Sequence, residues 1–474
     1  MAAEFLRSHG IDINAEMAAI QHGLGSSGGP ATRTEATAVN RISKASLPDT
    51  PPGSLWDLTI SKGKIENVTE HAPKADQTSG TFDVHSALVA TSLCHPHLHL
   101  DKAYLLSHPR YAHLRVSKGG FQEAMQVTTE AKSNFDEADL LERGQRVIDE
   151  SVTAGVTHMR AFVEVDVGVG LKCLDAAIVL KQRAEGRCKI QLCAFAQLPL
   201  FSPSDGDEQG AEIRHLMEHV ASMAEVECLG STPYVESSDG QTIANIDWMI
   251  QLTERCKKHL DFHLDYNVDQ IMEPKVWNVL SALKASSWRE HNPNRTVVLG
   301  HCTRLTLFSD DQWKELAARI KDPALPPISF VGLPTSDLYM MNATLKIPEL
   351  IEKLDLNACV GINNIGNAFT PQGSCDPLTL ACNGVGVYSA GTERDAEVLY
   401  ESVSTRAKQA IGLGRDGDRQ GEVDLHIKAG DGADLVLFHG VDGDWRTRRS
   451  VAEAVYLYDS CQHRRTLLAG HTPK

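Results

Sequence analysis

Residues 95–102 read His-Pro-His-Leu-His-Leu-Asp-Lys and follow a short apolar run, Ala87-Leu88-Val89-Ala90. Side chains on an extended strand repeat every two residues, so His95, His97 and His99 are expected on one face. Imidazoles set side by side must each be desolvated or hydrogen-bonded, and a divalent metal engages two of them at once. Imidazole nitrogen suits zinc, iron and nickel, and a catalytic centre takes about three protein ligands with one position open for water. The plain alternative is a hydrogen-bonded histidine cluster in a core, or an adventitious surface site.

Outward from that strand, the middle of the chain alternates strand and helix. Apolar residues at spacings of three and four predict helices over 137–154, 171–184, 211–224, 244–259, 274–285, 310–320, 347–354 and 394–411. Strands are expected at 88–94, 157–163, 189–196, 261–264, 296–299, 328–331 and 358–361, with a weaker one near 226–229. Strands alternating with helices in this way give an α/β fold, a (β/α)8 TIM barrel. No Gly-x-Gly-x-x-Gly favours a doubly wound open sheet instead. Residues 55–68 read as a hairpin around Lys62-Gly63, and 81–84, 433–438 and 454–458 as further short strands. The domain reading is an N-terminal extension over 1–52, partly flexible at 23–30 and bounded by the prolines of 48–53. A small β-sandwich from both chain ends, 53–90 plus 420–474, and a barrel over 91–419 complete it.

With 474 residues, 42% of them hydrophobic, the chain can bury a large core. A net charge of −16 and a pI near 5.7 argue against nucleic acid or an anionic membrane as partner. No apolar run approaches the ~20 residues of a spanning helix. The first residues mix Glu4, Arg7, Asp12 and Glu16, which is neither a secretory nor a transit signal. Eleven cysteines without a Cys-x-x-Cys indicate free thiols in a reducing compartment. The expectation is a cytoplasmic protein with a small-molecule substrate, with a homo-oligomer left open.

In such a barrel the active site lies at the C-terminal ends of the strands. His97 and His99 follow strand one, and Gln197 follows strand three. His263, Asp265 and Tyr266 follow strand five, His301 strand six, and Asn363 and Asn364 strand eight. One histidine at a strand end is usually structural; histidines from three separate strands, with amides between them, form a candidate site.

These segments resemble the amidohydrolase superfamily and, within it, the cytosine deaminase-like branch. The resemblance runs from about residue 53 onward. It is carried by Pro96–Lys102, Gly155-Val156-Thr157-His158-Met159-Arg160, Ala194-Phe195-Ala196-Gln197, His263-Leu264-Asp265, Gly300-His301-Cys302-Thr303 and the strand at Gly361. It implies that His97, His99 and His263 hold one divalent metal ion, zinc or iron, together with the strand-eight position, here Asn363. It implies that His301 contacts the water or the developing oxyanion, and that Gln197 binds an amide face of the substrate. The implied activity is hydrolysis of a C–N bond by metal-activated water, as deamination or amide or amidine hydrolysis of a small cyclic or N-substituted substrate.

Two positions depart from that pattern. Tyr266 stands where the branch has a glutamate three residues after the strand-five histidine, and Asn363 where it has an aspartate. A phenol with an unperturbed pKa near ~10 donates a proton but shuttles it poorly, and an amide brings no charge and is no general base. Cytosine deamination itself is therefore not expected. Asp101, Asp265 and Asp376 are candidate substitutes for the missing base, each with a structural alternative as a histidine-orienting partner or a helix cap. Lys102 matches the bridging lysine of two-metal members poorly, because that lysine sits on a middle strand. His95, His158 and Arg160 read as structural, and Phe162 stands where some relatives have a second strand-two histidine. Asn364 and Asp337 are expected to meet substrate, Asp337 from the rim past strand seven, where capping a turn is its equal alternative. The loop 367–374 reads as a lid. The missing carboxylates also leave a second class open, a catalytically impaired protein of this fold that binds a metal or a small ligand.

Overall fold

The computed structural model describes residues 37–72, 80–204, 207, 209–414, 423–458 and 464–473. The flexible segment expected at 23–30 lies outside them. Strands β1 (Arg41–Ala45), β2 (Trp56–Ser61), β3 (Lys64–Glu70) and β4 (Thr81–Asp83) form one sheet in the order β3-β2-β1-β4. Strands β2 and β3 are the expected hairpin. Its turn residues Lys62 and Gly63 both have positive φ (51° and 75°), the geometry that matches strand twist. Strand β1 corrects the expected boundary, since the sheet begins within the residues read as an extension.

Next come β5 (Val89–Thr91), then the barrel strands β6 (Leu93–His99), β7 (Val156–Glu164), β8 (Lys189–Ala196) and β9 (Val226–Ser231). The barrel continues through β10 (His259–Leu264), β11 (Val297–His301), β12 (Ile328–Gly332) and β13 (Ala358–Val360). Near the chain end, β14 (Leu435–Phe438) and β15 (Arg464–Leu467) pair with β5 in the order β15-β14-β5. The expected first barrel strand therefore divides: Val89–Thr91 leaves for the small sheet, and the histidines lie within the barrel strand rather than after it. The strand expected at 454–458 is instead the helix Val451–Tyr456. Ser450 caps it by accepting from the Glu453 N–H, and Val451, Ala454 and Val455 bury one face.

Strands β6 to β13 form one sheet in chain order with parallel neighbours, the (β/α)8 arrangement. The sheet closes where Asn363 bridges Leu98: the His99 N–H donates to the Asn363 carbonyl (2.8 Å) and the Asn363 N–H to the His97 carbonyl (3.1 Å). The interior is packed with side chains, including Phe162, Cys193, Phe195 and Cys228. The expected helix at 394–411 is two, Glu393–Ser402 and Thr405–Ala410. The helices Phe121–Lys132 and Pro334–Met341 have no counterpart among the expected elements, and Pro377–Val387 is the helix that the capping alternative for Asp376 implied. Among the described residues no helix is long and apolar enough to cross a membrane.

Candidate metal centre

Pro96 decides which histidines meet. Proline has no N–H to give to a strand ladder, and the register between β6 and β7 slips between His95 and Leu98. That bulge turns His95 out of the barrel, where its Nε2 meets Ser151 Oγ and the Cys375 carbonyl, each at 3.1 Å. The expectation that three histidines share a face fails at His95 for this reason. His97 and His99 point inward and meet His263 from β10, the three side chains at most 2% exposed.

His263 Nε2 lies 3.1 Å from His97 Nε2 and 2.9 Å from His99 Nε2. Two nitrogens of a tetrahedral zinc site, each bonded at ~2.0–2.1 Å, stand roughly 3.3–3.4 Å apart. Burial first, then charges nearby, among them the Lys102 ammonium, holds all three imidazoles well below their ordinary pKa, so they are neutral. Three neutral rings with converging Nε2 atoms leave lone pairs facing one another, which a cation relieves. The triad is the one group of three or more potential ligands found close enough to share an ion among the described residues. The buried Asn363 Oδ1 has no protein partner, while its amide nitrogen donates to Ser336 Oγ (2.9 Å). The donor set therefore fits a divalent transition metal.

The rings rest on an aromatic floor. Phe162 stacks 4.1 Å from His97, and Phe195 lies 4.3 Å from His263. His301 stands to one side, its ring 5.1 Å from that of His263. Asp265, His301 and Asn363, at or just past the ends of β10, β11 and β13, all have left-handed backbones (φ 50°, 65° and 58°). Such conformations cost of order 1 kcal/mol or more in a non-glycine residue and collect at functional sites.

Asp337 is not on the rim. It is fully buried, and its Oδ1 accepts from His301 Nδ1 at 2.7 Å, while Oδ2 takes the Leu333 N–H (3.0 Å) and Thr344 Oγ1 (3.1 Å). Asp337 thus orients His301 and, through the Leu333 N–H, also caps the start of the helix Pro334–Met341. Tyr266 packs its ring 4.0 Å from His301, and its hydroxyl meets only the Ser336 carbonyl at 3.5 Å. Burial raises its pKa further, so it keeps its proton. Asp265 corrects another expectation. Its carboxylate accepts from the N–H groups of Lys275 (2.8 Å) and Val276 (3.0 Å) at the start of the helix Val276–Ala285. Asp376 likewise caps the helix Pro377–Val387 and pairs with Arg464.

Asp101 lies past the end of β6, off the expected face. Its Oδ2 accepts from the Glu164 N–H (2.8 Å), and burial followed by the Glu164 charge raises its pKa. Asn364 gives its amide oxygen to Asn367 (2.7 Å), which also donates to the Lys102 carbonyl and accepts from Phe369 and Thr370. The Asn364 amide oxygen braces the loop after β13. Gln197 lies at the mouth as expected, its Oε1 3.0 Å from Lys102 Nζ.

Lys102, read from the sequence only as a poor match to a bridging lysine, is buried in an ion-pair network. Its ammonium is ion-paired with Glu164, which also pairs with Lys132 from the helix Phe121–Lys132, and Lys132 in turn meets Asp166. Burial alone would raise the Glu164 pKa, yet the two lysines hold it down to about 2. The strand-end rule applied to Val163-Glu164-Val165-Asp166 would have found the two carboxylates. Phe121, Tyr234, Tyr266 and Phe369 form the walls, with ring separations of 5.7 Å for Phe121–Phe369, 6.2 Å for Phe121–Tyr266 and 5.8 Å for Tyr234–Tyr266. Of these four only Tyr266 stood out in the sequence; Phe121, Tyr234 and Phe369 are single aromatics that carry no periodic signal.

The structure is thus a barrel of eight parallel strands with a convergent imidazole triad, a candidate metal site, at their C-terminal ends. No protein-family model matches the chain. It is 18% identical over 397 residues to the N-isopropylammelide isopropyl amidohydrolase of Pseudomonas sp. (strain ADP), covering 83% of this chain and 89% of that one. Among solved structures it resembles 5-methylcytosine deaminase from Klebsiella pneumoniae liganded with phosphonocytosine, at TM-score 0.73 and 20% identity, covering 91% of this chain and 97% of that one. It also resembles atrazine chlorohydrolase from Arthrobacter aurescens TC1 complexed with zinc, at TM-score 0.63 and 15% identity, with coverage of 91% and 94%. The chain shares its fold with these two enzymes.

Proposed function

We propose that this protein is a metal-dependent hydrolase that breaks a carbon–nitrogen bond of a small cyclic or N-substituted substrate by metal-activated water. The observation that carries the reading is the convergence of His97, His99 and His263 Nε2 beside the His301–Asp337 pair. The metal is zinc or iron; a relative of the same fold is described with zinc. Bound there, it would lower the pKa of a water and polarise the carbon under attack. His97, His99 and His263 would hold it, with Asn363 Oδ1 as a neutral further donor.

The chain's own residues supply the rest. Asp337 fixes the His301 proton on Nδ1, which leaves Nε2 as acceptor for the proton of the attacking water and as its donor to the departing nitrogen. This pair stands in for the carboxylates that Tyr266 and Asn363 displace. Tyr266 covers one face of the His301 ring. Gln197 and Lys102, joined by their hydrogen bond, address a carbonyl or ring nitrogen of the substrate. The aromatic walls suit a planar ring and exclude water. The ten described cysteines are all unpaired, which supports a cytoplasmic setting.

Zinc- or iron-loaded protein offered 5-methylcytosine, N-isopropylammelide and atrazine tests the reading, with released ammonia, amine or chloride measured. Ammonia or amine release that disappears in His301→Gln, with metal retained, is expected. A fully metallated protein that turns over none of the panel favours the binding-only alternative.

A further inference from the structure

One layer below the triad, inside the barrel, lies a buried pair that the proposed reaction does not use. Arg160 from β7 donates through Nη1 to Asp261 Oδ2 of β10 at 2.7 Å. Its Nε donates to Gln191 Oε1 (2.7 Å) and its Nη2 to the Ile411 carbonyl (3.3 Å). Arg160 is thus held at three points and fixes one oxygen of Asp261. The other, Oδ1, is buried without a hydrogen bond and stands 4.0 Å from His97 Nδ1, itself buried without a partner. A buried acceptor left unmade costs about 1–3 kcal/mol, so two such atoms facing each other call for an explanation.

The chemistry of His97 supplies one. A neutral imidazole carries one proton, and Nε2 must be bare to bind a metal, so the proton belongs on Nδ1. Asp261 Oδ1 is the carboxylate oxygen that faces it. At 4.0 Å the contact is too long for a hydrogen bond, and closing it takes a movement of roughly 1 Å. Gly300 leaves room there: a Cβ at that position would lie 3.0 Å from His97 Cε1 and 3.2 Å from Nδ1.

We propose that Asp261, anchored by Arg160, is a positioning residue for the metal centre, taking the Nδ1–H of His97 when the ion binds. The inference rests on the reading that the triad holds a metal. In Asp261→Asn, the amide oxygen would keep the Arg160 bond and turn its NH2 toward His97, favouring the tautomer with Nε2 protonated. Zinc affinity is measured by competition with a chromophoric chelator for wild type and Asp261→Asn, with folding checked by denaturation in chelator. A weakening of about 10- to 100-fold is expected. Equal affinity in a folded variant overturns the proposal. Absence of zinc binding by wild type overturns instead the metal reading on which it stands. A structure of the zinc-loaded wild type decides the case if the variant does not fold: Oδ1–Nδ1 within ~3.2 Å supports the proposal, and a separation still near ~4 Å refutes it.

Discussion

Removing the ring of His263 isolates the part of the site on which the functional reading depends. His263 Nε2 is the atom that both other imidazoles approach, at 3.1 and 2.9 Å. Structural zinc sites with four ligands release about 10–16 kcal/mol on binding, or roughly 2.5–4 kcal/mol per ligand. His263→Ala should therefore weaken zinc binding by about 10²–10³-fold. An ion that binds only the folded state stabilises it by RT ln(1 + [L]/Kd), about 4.1 kcal/mol when zinc stands at 1,000 times its Kd. At the same zinc concentration the variant retains roughly 0.4–1.4 kcal/mol of that increment. Urea denaturation of metal-free protein, with and without zinc, reads both increments directly. Comparing each protein with its own apo form removes the effect of the cavity left by the ring. His95→Ala is the control: its ring bonds Ser151 and Cys375, so its zinc increment should equal that of wild type. If His263→Ala keeps the full increment, the imidazole cluster is not the metal site and the hydrolase reading falls with it.

Two further outcomes follow from the same geometry. Asp265→Ala removes the acceptor for the Lys275 and Val276 N–H groups and should cost about 1–2 kcal/mol of stability in urea, while zinc uptake stays at the wild-type level. A loss of zinc uptake would return Asp265 to the site. Burial lowers the His95 pKa from 6.5 to about 4. The unfolded chain therefore takes up a proton as pH falls through 6.5 while the folded chain does not. The associated stability, present above pH 6.5, is lost between 6.5 and about 4, to a total of roughly 3 kcal/mol. Metal-free His95→Gln should show a shallower decline across that window than wild type, and equal slopes would refute the assignment.

The local rules carried a good deal of the molecule. Alternating apolar runs and helical spacing were enough for the barrel, because strands covered on both faces must be apolar throughout and amphipathic helices repeat at 3.6 residues. The hairpin at Lys62-Gly63 and the strand-end positions of His97, His99, Gln197, His263 and His301 were legible for the same reason. Failures arose where a cap, a proline or burial of another face overruled the period of the apolar or polar pattern. Residues 454–458 alternate like a strand, yet the Ser450 cap and a buried helical face draw 454–456 into the helix Val451–Tyr456. His95 keeps the period of His97 and His99, yet Pro96 breaks the ladder and sends it outward.

By itself, then, the sequence determined the barrel, the small sheets built from strands near both ends, and the imidazoles that could share an ion, since these depend on periodicity and residue type. Only the tertiary structure decided what each carboxylate does. Asp101, Asp265, Asp337 and Asp376 look alike along the chain, and each acquires its task from the N–H groups or ring that folding brings beside it. The same holds for Lys102, whose ammonium meets Glu164 and Gln197 from two other strands of the barrel. Electrostatic roles are set by distances between remote residues, and those distances exist only once the barrel has closed.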